Sequence, residues 1–340
     1  MYVPVKQNES GGCLAKYPGR NLIELVREAD NISGCPDIAS LWMPEDASVI
    51  KYGDDNLLLT TDMAPLVGVD CFLAGKIAVL HALSDIYAMG GRPLHVLVNL
   101  VIARATSEQQ STALLAGIFE ACREESVLVA GGHTLLSEEF LVGISVLGSM
   151  QGKQPIKKQN CLSGDILLLS KPLGTGLAAR GLFLGEIEEA EFSEAMNMML
   201  ISNRHSVSAA QGMVNIHAMT DVTGFGLLGH LSEMLRPEQG AIIDFARLPI
   251  ISCVNSLFLH AYGTGITQEN LRYAGREHKL SFTPQNDCPL ILLDPQTNGA
   301  ILVAVAPSDA LPLEQAGWTP IGKVNDEGTI RCHIVAMHTF

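Results

Sequence analysis

The chain has 340 residues, 47% hydrophobic and 17% charged, with 32 glycines and 16 prolines; this is too apolar for a disordered chain and long enough for two domains or one large doubly layered one. Lysine and arginine total 22 against 36 aspartates and glutamates, a formal charge of −14, which argues against a nucleic-acid partner, since that needs a basic face. An anionic substrate stays open, because metal ions held by carboxylates reverse the local field.

Residues 1–20 are polar, carry Gly11, Gly12 and Gly19, and show neither hydrophobic period, so they are expected to form a flexible arm. Met1–Ser10 has no apolar core and the ends carry no lipidation pattern, so the expectation is a cytoplasmic protein without a membrane partner. Asn21–Asp30 has apolar residues at helical spacing, and Asn56–Thr61 reads as a buried strand that delivers Asp62 at its exit. Cys71–Met89 has the length and all-round apolarity of a buried helix, stopped by Gly90 and Gly91. Leu94–Ala103 reads as a buried strand, too short and too interrupted to span a membrane. Ser107 with Gln110 predicts a capping box for a helix to about Glu125, followed by strands at Val127–Ala130 and Phe140–Leu147.

The polar stretch Gly152–Asn160 marks a break, and Asp165–Ser170 opens a new strand before the turn at Gly174–Gly176. Helices are predicted across Glu191–Gly212 and Leu227–Leu235, with late strands at Leu290–Leu293 and Ala300–Val305. The eight cysteines, at 13, 35, 71, 122, 161, 253, 288 and 332, stand singly without a zinc or redox spacing. Most should be small buried hydrophobes.

Four positions place a carboxylate in an apolar or glycine-rich setting: Asp46, Asp62, Asp85 and Asp221. An unpaired buried carboxylate is costly, so each needs a cation or several donors. Individually a cap, a turn or an internal salt bridge accounts for them; together they suggest an oxygen cage for a magnesium-type ion shared with phosphate. Gly131-Gly132-His133-Thr134 after an apolar strand would let backbone N–H groups approach an anion, and a tight turn explains it equally well; Gly174–Gly176 has the same two readings. Gly224-Phe-Gly226-Leu-Leu-Gly229 satisfies the dinucleotide-binding glycine pattern, but Ile216–Asp221 before it does not read as the strong apolar strand that pattern requires. Cys13 and Lys16 lie three apart in the arm, where an ammonium favours the thiolate; an ordinary exposed tail is the other account.

Taken in order, Gly12-Cys13-Leu-Ala-Lys16, Asp46-Ala-Ser-Val, Thr60-Thr61-Asp62, Ala82-Leu-Ser-Asp85-Ile-Tyr-Ala-Met-Gly-Gly91, Gly131-Gly132-His133, Lys171-Pro-Leu-Gly174, Met219-Thr-Asp221-Val-Thr-Gly-Phe-Gly and Asp294-Pro-Gln-Thr297 cover nearly the whole chain. In these blocks the chain resembles the selenophosphate synthetases (selenide, water dikinases), members of the aminoimidazole ribonucleotide synthetase-like superfamily. The resemblance implies an α/β (α+β) two-domain fold: a flexible catalytic arm over 1–20, an N-terminal ATP- and metal-binding domain over 21–155 whose sheet pairs in a homodimer, and a C-terminal α/β domain over 156–340. It further implies ATP, magnesium and selenide as reactants or cofactors, with potassium as a further cation, and a downstream selenium-transfer enzyme as a partner.

By matching position, the resemblance makes Cys13 the catalytic cysteine and Lys16 the lysine on the nucleotide phosphates. Asp46, Asp85 and Asp221 become magnesium ligands, Asp85 also serving the nucleotide. Asp62 becomes an ATP-binding aspartate, and Gly132, His133 and Thr134 a segment reaching the partner subunit's ATP. The chain departs from the family pattern at Leu14 and Ala15, at His81 where asparagine is usual, at Leu135–Phe140, and at Asn298 and Ala300 in the late block. Alternatives are a related ATP-dependent enzyme using another acceptor, such as sulfide or a small amine, and a nucleotide-binding regulatory paralogue.

Overall fold

Alternation of apolar runs with turn residues builds two sheets, one in each half of the chain. The computed structural model describes residues 28, 45–65, 70–254, 264–276, 278–283 and 289–333. The arm over 1–20, and with it Cys13, Lys16, Leu14 and Ala15, lies outside the described residues, as does the helix expected over Asn21–Asp30 apart from Glu28, which is helical.

The first half runs β1 (Ser48–Tyr52), β2 (Asp55–Pro65), α1 (Cys71–Ala88), β3 (Arg92–Ala103), α2 (Glu108–Glu124), β4 (Leu128–Ser137) and β5 (Leu141–Ser149). The strands lie in the order β1-β2-β5-β3-β4, antiparallel except for the β3–β4 pair, whose crossover is α2. One face carries Leu58, Val96, Val98, Val142, Ile144 and Val146 into a core with Leu83 and Ile86 of α1. The helix α1 matches its sequence signature: the Asp70 carboxylate accepts from the Phe72 N–H at 2.9 Å, and Gly90 takes the left-handed turn with φ of 77°. Among the described residues it is the one helix long and apolar enough to cross a bilayer, and most of it is buried within the protein. The capping box on α2 forms as read, with Gln110 N–H on Ser107 Oγ at 3.2 Å and Ser107 N–H on Gln110 Oε1 at 2.9 Å.

Two strands outrun their sequence signatures. β2 continues past Asp62 to Pro65, so Asp62 is an interior strand residue facing Ile144 of β5 rather than a residue at a strand exit. β4 does not stop at Ala130: Gly131–Thr134 stay in the strand, paired with Leu97–Leu100, where a turn or an anion loop was expected. The reason is close approach, since a Cβ on Gly132 would overlap the Val98 carbonyl of β3.

A segment without helix or strand, 150–165, leads into the second half. There follow β6 (Ile166–Leu169), α3 (Thr175–Leu184), α4 (Glu189–Met199), α5 (Arg204–Met213), β7 (Ile216–Asp221), α6 (Gly226–Met234), β8 (Gly240–Asp244), α7 (Thr267–Ala274), β9 (Lys279–Thr283), β10 (Ile301–Val305), α8 (Pro307–Gln315), β11 (Thr319–Asn325) and β12 (Thr329–His333). The sheet order is β7-β10-β6-β11-β8-β12-β9. Its side chains divide by alternation. Leu167, Leu169, Leu302 and Ala304 pack with Leu177 and Leu227 of α3 and α6, while Leu168, Met219, Val303 and Val305 join the core around α1. The two halves therefore share apolar contact directly behind the end of β7.

Three expectations change here. The single helix expected over Glu191–Gly212 is two helices, α4 and α5, interrupted at 200–203, where the Asn203 amide donates to Ser84 Oγ at 2.9 Å and the Gly299 carbonyl at 3.0 Å. Leu290–Leu293 is a 3₁₀ turn over Leu290–Leu292, not a strand; a short buried apolar run fits either by pattern. Ile216–Asp221 is a strand after all, so the glycine pattern at 224–229 does follow one. Its only sheet neighbour among the described residues is antiparallel β10, however, and a Cβ on Gly226 or Gly229 would overlap Leu293 or Phe225, so these glycines serve packing.

Candidate functional site

The site lies where β2, α1 and β7 converge. Thr60 and Asp62, two apart on β2, share a face of the strand, and His81 and Asp85, one turn apart on α1, share a face of the helix. Thr60 Oγ1 donates to Asp85 Oδ2 at 2.5 Å. Asp221 enters from the last position of β7, and Asp46 from the residues just before β1. One carboxylate oxygen from each of Asp46, Asp85 and Asp221 lies within 4.8 Å of the others.

Three carboxylates in so small a volume repel one another. Loss of hydration, then the charges of Asp62, Asp221 and Asp46, push the Asp85 carboxyl well above the usual range. Burial likewise raises Asp46 to about 7, against the pull of Lys158 and with a further push from Asp221. Asp46 Oδ2 and Asp221 Oδ2 are buried without a hydrogen-bond partner. Three converging carboxylates, two of them with an orphaned oxygen, form an all-oxygen set that fits a hard divalent cation.

The other oxygen of Asp46 is held in place. Its Oδ1 accepts from Lys158 Nζ at 2.6 Å and from Thr220 Oγ1 at 2.9 Å. Lys158, with 5% of its side chain exposed, also bridges to Glu233 Oε2 at 2.9 Å, and the Tyr273 hydroxyl donates to Glu233 Oε1 at 2.5 Å. The two carboxylates outweigh burial and hold the ammonium well above its ordinary range; against its own burial, Glu233 is held well below by Lys158. Lys158 escaped the sequence reading because it stands in a polar stretch between the halves, and both of its carboxylate partners are distant in sequence. Lys171 is a second buried lysine, its Nζ on the carbonyls of Ile201 at 3.0 Å and Asn298 at 2.7 Å; burial lowers it to about 7.

Not every predicted residue joins this cluster. Gly132, His133 and Thr134 lie exposed on β4, at the sheet edge opposite β1 and separated from β2 by two strands. The Gly174–Gly176 turn is no open anion cradle, since Gly174 N–H and Thr175 N–H donate to Gln296 Oε1 at 2.9 and 3.1 Å, and Leu177 N–H to Asp294 Oδ2 at 3.1 Å.

Comparison with known proteins fits this architecture. The model of the AIR synthase related protein N-terminal domain matches residues 44–150, and that of the C-terminal domain matches residues 163–335. A selenide, water dikinase of Burkholderia ambifaria is 32% identical over 305 residues, covering 88% of this chain and 86% of its own. One from Geobacter sp. (strain M21) is 34% identical over 311 residues, 89% of this chain and 88% of its own. Among solved structures, AaThiL complexed with AMPPCP and TMP superposes with a TM-score of 0.68 over 97% of this chain and 95% of that one, at 19% identity, a likeness of fold.

Proposed function

The chain belongs to the AIR synthase related family and, within it, to the selenide, water dikinases; from that premise we propose that it converts selenide, ATP and water into selenophosphate, AMP and phosphate, supplying activated selenium in the cytoplasm. The observation that carries the reading to this site is the convergence of Asp46, Asp85 and Asp221, with two buried oxygens left unpartnered. These residues would hold magnesium, which when bound supplies the positive charge that phosphoryl transfer needs. Asp62 and Asp85 face the nucleotide, and Lys158 with Thr220 fixes one oxygen of Asp46 and leaves the other unpartnered. Potassium is proposed as a further cation.

Cys13 is assigned as the catalytic thiol and Lys16 as the phosphate contact, both on the arm over 1–20. Gly132, His133 and Thr134 are assigned to the ATP of a second copy, which their distance from the chain's own cluster favours. The outer face of the first sheet supports that homodimer: Tyr52, Met63, Leu97, Leu128 and Leu135 are exposed there, and β4 forms a long sheet edge that is unpaired among the described residues. A selenium-transfer enzyme would take the product.

The test is phosphorus NMR of the protein with ATP, magnesium, potassium and reduced selenide without oxygen, beside a sulfide tube. A selenophosphate resonance with matching AMP, absent with sulfide, is expected. ATP that stays intact, or breaks down equally without selenide, overturns the reading.

A further inference from the structure

Strand β2 and helix α1 face each other across the site as two rungs. In the first, Thr60 on the strand donates to Asp85 on the helix. Two residues along the strand and one turn back along the helix, Asp62 faces His81, with His81 Nε2 3.9 Å from Asp62 Oδ2. The roles exchange: here the strand brings the carboxylate and the helix the nitrogen. Which nitrogen carries the proton is set on the far side of the ring. His81 Nδ1 lies 3.0 Å from the backbone N–H of Asn298, which can only donate, so Nδ1 accepts and the neutral ring holds its proton on Nε2.

Asn298 is anchored to present that amide. Its φ of 45° is a left-handed conformation that asparagine tolerates better than most residues. Its side-chain amide donates to the carbonyls of Met199 at 2.6 Å and Ile201 at 3.0 Å, and its own carbonyl accepts from buried Lys171. His81 and Asn298, each a departure from the family pattern, thus meet in one hydrogen bond joining the two halves beside the site.

We propose that His81 is a positioning residue for Asp62, its ring locked by Asn298 as an Nε2–H donor aimed at that carboxylate; this rests on the reading of Asp62 as the nucleotide-facing aspartate. The 3.9 Å separation exceeds a hydrogen bond by about 1 Å, a gap that a side-chain rotation or one shared water closes. The first rung secures the carboxylate assigned to metal, and the second secures the carboxylate assigned to nucleotide.

The experiment is calorimetric binding of AMPPCP with magnesium to the full chain as wild type, D62N, H81F and the double variant. D62N is expected to weaken binding about tenfold or more and H81F about fivefold. The double variant should bind no more weakly than D62N, because His81 acts through Asp62. H81Q, which keeps a side-chain N–H, should recover most of the loss. An H81F affinity equal to wild type, or effects that add in the double variant, overturns the proposal. Unchanged affinity in D62N overturns the premise about Asp62 instead, and the proposal with it. Should H81F fail to fold, nitrogen-15 spectra of histidine-labelled wild type decide: an Nε2-protonated neutral His81 is expected, and a proton on Nδ1 overturns the proposal.

Discussion

Asp221 and Asp294 are both buried carboxylates of the second half, each 1% exposed, and each is followed within five residues by a glycine. Their surroundings differ. Asp294 Oδ2 accepts from the Leu177 N–H at 3.1 Å and the Gln296 amide at 2.7 Å, at the N-terminus of α3, where an anion is favoured. Each leaves one buried oxygen without a hydrogen-bond partner, Asp294 Oδ1 and Asp221 Oδ2, but Asp221 alone of the two has Asp46 and Asp85 for neighbours. A carboxylate answered by protein donors holds the fold together, whereas one left among other carboxylates requires something the chain does not supply.

The sharpest way to break that contrast is D221N. We expect selenophosphate formation to fall by about a hundredfold or more, since even a residue supporting a metal ligand is worth 10–100-fold. The ligand-free protein should be no less stable than wild type, because a repulsive charge is gone. Phosphorus NMR reads the first and thermal unfolding the second; retained activity would remove Asp221 from the site.

Next in size is Lys158→Met, which leaves Asp46 and Glu233 buried without their shared counter-charge. Removing one partner of a buried ion pair costs about 3–5 kcal/mol, measurable by denaturant unfolding. A loss below about 1 kcal/mol, the scale of an exposed pair, would show that the cluster does not depend on this clamp. Asp294→Ala is expected to cost less, about 1–3 kcal/mol for the donors it orphans, while turnover per folded molecule stays at the wild-type level. A collapse of turnover would erase the distinction between the two aspartates.

What could be read from sequence follows the same division. The helix α1, the capping box at Ser107 and the aspartates in apolar settings were legible because their signals are local: periodicity, a residue pair three apart, a carboxylate where none is comfortable. Lys158 was not, because a lysine in a polar stretch looks solvated until Asp46 and Glu233 arrive from other parts of the chain. Nor was the course of β4, where the glycine pair answers to the Val98 carbonyl of a neighbouring strand rather than to a turn. The break between α4 and α5 belongs to the same class, since Asn203 is tied to Ser84 and Gly299.

The finest test uses the two aspartates that burial raises to the same place. Asp46 and Asp294 are each lifted from 3.8 to about 7. A carboxyl raised in the folded state contributes stability that is fully present below its ordinary 3.8 and is lost as pH climbs through about 7. The metal-free protein should therefore lose stability across that interval from both groups, and Asp85, held well above the usual range beside Asp46, adds in the same sense. Lys171, lowered from 10.5 to about 7, acts in the opposite sense and in the next window, regaining stability as pH rises beyond about 7. Magnesium separates the two aspartates. It binds the ionised forms of Asp46 and Asp85, so saturating magnesium should abolish their part of the slope and release protons on binding below about pH 7, while the part due to Asp294 persists and disappears only in D294N. Thermal unfolding against pH, with and without magnesium, in wild type and D294N reads both parts. A slope that magnesium leaves untouched would mean that Asp46, like Asp294, is answered by the protein alone.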